Sequence, residues 1–106
     1  MTRSELLAWL EARRPAPPEV LRPSLAAAVT DADLPLPDHL ALLGRRLLAR
    51  VADQPTGGRE LALDLLAADA FVTYAFEAQA EADVAGLAAL AERVGRGAGA
   101  VDWGRS

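Results

Sequence analysis

Between Arg59 and Ala82 the chain carries neither proline nor glycine. The stretch is long enough for a helix of about six turns, and it predicts a central helix. At roughly 100° per residue, Leu61, Leu65, Ala68, Val72, Ala75, Phe76 and Gln79 share one face, the stripe expected to meet a core. Leu63, Ala67, Ala70, Phe71, Tyr74 and Ala78 occupy the far side, and Asp69, Thr73, Glu77 and Glu81 follow one another at i+4 in a narrow acidic line. A helix apolar over so much of its surface is normally buried, inside a bundle or against a second copy.

The chain has few residues with which to cover such a helix. A domain of 106 residues buries only a little over ~60% of its unfolded surface. Hydrophobic residues make up 52% of the sequence, yet much of that share is alanine, which favours helix but buries little area. Bulk therefore falls to the leucines and to Trp9, Phe71, Tyr74, Phe76 and Trp103.

Charge and cysteine usage exclude several classes. A net charge of −4 speaks against nucleic acid as a partner, because phosphate binding needs a basic surface. There is no cysteine, so disulfides and thiol chemistry are excluded while the compartment stays open. Acidic residues interrupt the short apolar stretch at the N-terminus, unlike a secretory signal. The uncharged run from Ala70 to Phe76 is far below the ~18 residues of a membrane span. A cytoplasmic protein with no membrane span is expected.

All seven prolines lie between Pro15 and Pro55, whereas glycine collects at Gly57–Gly58 and from Gly95 onward. Thr2-Arg3-Ser4-Glu5 fits a capping box, predicting a first helix from Arg3 to Arg14 that Pro15 stops. A second helix is predicted from Pro18 to Thr30, with Pro23 kinking it or marking its true start. Asp31 to Pro37 reads as a linker. The third helix, Asp38 to Ala52, is the most clearly amphipathic: Leu40, Leu43, Gly44, Leu47, Leu48 and Val51 on one face, Arg45, Arg46 and Arg50 on the other. Gly44 lowers helix propensity by roughly 1 kcal/mol against alanine, which a close helix crossing would explain. After the long helix, a break near Asp83 precedes a last helix with Val84, Leu87, Leu90, Ala91 and Val94 inward. The expectation is one helical domain over residues 1–94, an all-α bundle of four to five helices, followed by a flexible glycine-rich tail over residues 95–106. Trp103 is the tail's anomaly, folding back on the domain or docking on a partner.

No residue pattern points to catalysis or to a cofactor. His39 is the only histidine; although Asp38 precedes it, adjacent helical residues do not face each other, and polar decoration of a helix start is the better account. Asp69, Glu77 and Glu81 are the one arrangement fit for a hard cation such as magnesium. Pairing of that line with the arginines of the preceding helix, Arg46 and Arg50 among them, is the stronger reading. Phe71, Tyr74 and Phe76 are candidates for an interface or for a pocket between helices.

The run Leu65-Leu66-Ala67-Ala68-Asp69-Ala70-Phe71-Val72-Thr73-Tyr74-Ala75-Phe76-Glu77 resembles a helix of the isoprenyl diphosphate synthases, with Ala68 where that family usually has glycine. The resemblance implies none of that family's activity. Both Asp-Asp-x-x-Asp motifs that bind magnesium and diphosphate there are missing from this sequence. The reading that remains is a non-enzymatic interaction or regulatory module that self-associates through its long apolar helix, as a homodimer or with another protein. The alternative is a small binding protein or cation-dependent enzyme using Asp69 and Glu77 in an inter-helix pocket.

Overall fold

A computed structural model describes residues 1–54 and 57–99. Among them are five α-helices and no strand: α1 (Arg3–Glu11), α2 (Arg22–Ala28), α3 (Leu36–Ala52), α4 (Arg59–Ala82) and α5 (Leu87–Gly99). Short 3-10 turns, Glu19–Leu21 and Val84–Gly86, lead into α2 and α5. The fold is the all-α bundle that the helical periodicity predicts.

Thr2 starts α1 with the full capping box: its Oγ1 accepts from Glu5 N at 3.1 Å while Glu5 Oε1 accepts from Thr2 N at 2.8 Å. The helix stops three residues before its predicted end at Arg14. Arg14 turns its guanidinium back instead, donating to the carbonyls of Glu11 and Arg13 at 2.9 and 2.7 Å, a C-terminal satisfaction of free carbonyls by a cation. Pro23 occupies the first turn of α2, where its missing N–H costs nothing, so it marks a start and not a kink. The Met1 amine donates to Ala32 O at 2.6 Å and Ala32 N returns a bond to Met1 O at 3.1 Å. These bonds lash the start of α1 to the segment after α2.

α3 and α4 form an antiparallel helical hairpin, with Arg50 beside Asp64 and Gly44 beside Ala68 and Val72. Leu40, Leu43, Gly44 and Leu47 are buried along the predicted face of α3, and Leu48 and Val51 are half-buried. α4 has the predicted bounds, and Gly58 caps it at φ 139°, a backbone conformation that favours glycine.

The buried stripe of α4 differs from the predicted one. Ala67, Ala68, Phe71, Ala75 and Ala78 face the core, while Leu65 stands 48% exposed. The stripe lies between the two faces distinguished in the sequence, taking Ala68 and Ala75 from one and Ala67, Phe71 and Ala78 from the other. Apolar residues nearly encircle this helix, so periodicity carries little information about its rotation.

Asp83 breaks the chain where predicted, extended at φ −165°, with its carboxylate accepting from Ala85 N at 3.1 Å. In α5, Leu90 is fully buried and Leu87 and Val94 are half-buried, but Ala91 is exposed, as is Val84 in the 3-10 turn before the helix. Residues 95–99 continue α5 instead of beginning a tail. Trp103 and the rest of that predicted tail lie outside the described residues.

Candidate interaction surface

The acidic line of α4 meets α1, not the arginine face of α3. Arg13 Nη2 lies 2.9 Å from Glu77 Oε1, and Arg13 Nη1 2.9 Å from Glu81 Oε2. The same guanidinium stacks 4.5 Å from the Trp9 ring centre, and Trp9 meets Tyr74 edge-on with ring centres 6.0 Å apart. Glu77 first, and Glu81 after it, hold the Arg13 pKa above its ordinary value, against the desolvation that lowers it. Burial raises the Tyr74 hydroxyl above its ordinary value, with Glu77 adding to the shift and Arg13 opposing it. The cluster is a strut between helices. Arg13 falls inside the predicted first helix but past the observed end of α1 at Glu11, so a reading based on helix faces did not place it against α4.

The arginines of α3 make other contacts. Arg46 donates to Thr30 Oγ1 at 3.2 Å. Arg50 stands 3.7 Å from Asp64 with its side chain 56% exposed, a distance and exposure at which an ion pair contributes little. Asp38, expected beside His39 as helix-start decoration, accepts from Arg93 of α5 at 2.7 Å.

The candidate cation ligands are not gathered into one site. Among the described residues no group of three or more histidine, aspartate or glutamate side chains is placed to hold a metal ion. Glu77 and Glu81 are both turned onto Arg13, two and three turns along the helix from Asp69. The pocket candidates also separate. Phe71 is fully buried, Tyr74 packs on Trp9, and Phe76 is half-buried. A small cleft of about 100 Å³ does open between α1 and α2, lined by Leu7, Leu10, Pro17 and Leu25 with Glu11 and Arg22 at its edge. Ligand pockets are usually about 300–1,000 Å³, and none of the three aromatic candidates lines this cleft.

His39 corrects the sequence reading most sharply. It is fully buried, not surface decoration. Its Nε2 lies 2.8 Å from Thr30 O, and since a carbonyl only accepts, Nε2 carries the proton. Nδ1 is buried without a hydrogen-bond partner. The signal available in the sequence was its spacing: His39, Leu40, Leu43 and Leu47 fall on one helical face.

Among the described residues, the outward face of α4 is left uncovered. Leu65 and Leu66 stand side by side at 48% and 52% exposure, with Ala62 and Asp69 exposed on the adjoining turns. Elsewhere, Val20, Leu34 and Val84 are exposed singly on separate segments, as is ordinary for a protein surface. Among the described residues, no helix is long and apolar enough to cross a membrane.

No protein-family model, curated protein or solved structure matches this chain. The thirteen-residue likeness to isoprenyl diphosphate synthases thus gains no support from these comparisons.

Proposed function

We propose that this chain is a non-enzymatic helical interaction module that forms a homodimer through the outward face of α4. The observation that carries the reading is the exposed leucine pair, Leu65 and Leu66, on a helix whose other large apolar residues are buried or half-buried. Apolar area at the centre of an interface, ringed by polar residues, drives association between proteins. The cation-dependent alternative draws no comparable support, since Arg13 engages two of its three carboxylates.

Among the described residues one face of one helix is on offer, so the interface belongs to the small class, and a dissociation constant in the micromolar range is expected. Sedimentation velocity from about 1 to 100 µM tests this. The expected result is a monomer–dimer equilibrium that the double substitution Leu65→Glu/Leu66→Glu abolishes without loss of helicity. A compact monomer at every concentration overturns the proposal.

A further inference from the structure

We infer that the second copy lies antiparallel on α4, related by a two-fold axis at the level of Asp64, so that Arg59 of each copy meets Asp69 of the other. The inference rests on the self-association proposed above and specifies its register. Arg59, Ala62, Leu66 and Asp69 are spaced i, i+3, i+7 and i+10, and all four are exposed. That spacing is the alternating a and d seam by which two helices pack side by side. Asp64, at the centre of the span, is turned away from the seam toward Arg50 of α3.

An antiparallel pair layers the a position of one helix against the d position of the other. About the level of Asp64 this sets Leu66 over the partner's Ala62, a large side chain against a small one, twice by symmetry. It also sets Arg59 against the partner's Asp69 at both ends of the seam. Among the described residues neither Arg59 nor Asp69 has an ion-pair partner within its own chain. A parallel in-register pair would instead bring Arg59 to Arg59 and Asp69 to Asp69, and like charges at a seam select against that arrangement. An antiparallel pair centred at Phe71 would put Leu66 on the partner's Phe76, but Phe76 is already half-buried in its own chain, and Asp69 would lie level with the partner's Thr73 instead of a cation.

A charge swap tests the register. Dimer dissociation constants are measured by sedimentation for Arg59→Glu, Asp69→Arg and the combined variant, with helicity followed by circular dichroism. Each single substitution breaks both symmetric pairs and is expected to weaken the dimer by about tenfold. The combined variant restores the pairs with reversed sign and is expected to return to within about twofold of the unsubstituted chain. Raising the salt concentration should weaken the unsubstituted and swapped dimers alike. A combined variant no tighter than the weaker single overturns the antiparallel register; if Leu66→Glu still dissociates the dimer, self-association through α4 stands. A chain monomeric at all concentrations overturns both.

Discussion

Gly44 and Val72 meet where α3 crosses the long helix, and no side chain fits between them. A Cβ on residue 44 would stand 2.9 Å from Val72 Cγ2, 3.2 Å from the Ala68 carbonyl oxygen and 3.4 Å from Phe71 Cβ. The crossing packs the core faces of the two longest helices directly against one another, placing Phe71 beside the buried leucines of α3. Alanine at this position would gain roughly 1 kcal/mol of helix propensity. The clash opposes that gain, because valine is stiff at χ1 and the Ala68 oxygen belongs to the backbone. Gly44→Ala is therefore expected to destabilise the fold by a net ~1–2 kcal/mol, read as a lower urea midpoint with unchanged slope. Adding Val72→Ala should recover part of the loss, so that the two changes together cost less than their sum. A stabilised Gly44→Ala would show that the helices separate easily.

His39 supplies a second prediction, on the join between α3 and the segment after α2. Its Nε2–H bond to Thr30 O ties these segments together, from a fully buried ring to the carbonyl of an exposed residue. Alanine would remove the donor and leave both a cavity and an unpaired carbonyl, lowering stability by about 2–3 kcal/mol. Glutamine can extend an amide N–H to the same carbonyl and should restore about half of the loss, whereas the shorter asparagine should behave like alanine. Equal urea midpoints for glutamine and asparagine would show that packing, not the hydrogen bond, sets the contribution of this residue.

Local signals in the sequence located most of the helices. The Thr2–Glu5 capping box, Pro23 near the start of α2, the glycines before Arg59 and the break at Asp83 each act within a turn or two, and each lies where it was expected. Gly44 also announced a close crossing, since nothing else explained a glycine on the apolar face of α3. The rotation of α4 was not legible, because its alanines and leucines leave no side plainly polar. The surroundings of Arg13 and His39 were not legible either. Both depend on contacts distant in sequence, Arg13 with Glu77 and Glu81, and His39 with Thr30. The candidate interaction surface was half legible: the sequence identified the helix, but its exposed leucines had to await the fold, and Leu65 was expected to be buried.

The capping box makes the stability of α1 depend on acidity. Glu5 has its pKa lowered from the ordinary value of 4.5, first by the Thr2 backbone N–H it accepts and next by the Thr2 side chain. A carboxylate with a lowered folded value binds protons more weakly in the folded than in the unfolded chain. Its contribution is thus fully present above pH 4.5 and is lost as the pH falls through the lowered folded value. Glu5→Gln should remove this acid-dependent component. The check is a carbon-detected NMR titration of Glu5, whose midpoint should lie below 4.5 and return toward it in Thr2→Ala. A midpoint at or above 4.5 in the unsubstituted chain would show that the box does not close.

Arg13 joins α1 to α4 through two carboxylates and an aromatic face, so its contribution should be cooperative. Its side chain is only 16% exposed, but Glu77 and Glu81 are 44% and 57% exposed, and solvent screening keeps each ion pair weak. The cation on Trp9 adds a component that salt screens less, since the ring shields one face of the guanidinium. Arg13→Ala is expected to lower stability by about 1–2 kcal/mol. Lysine keeps the charge but cannot fork between two carboxylates while stacking, and should recover less than half. Glu77→Gln/Glu81→Gln should remove the ionic part alone, leaving Arg13→Ala in that background with the smaller, salt-insensitive cost of the Trp9 contact. Thermal melts at low and high salt separate these contributions. If Arg13→Ala costs the same with and without the two glutamates, the ion pairs contribute nothing and α1 is held by Trp9 and the leucines alone.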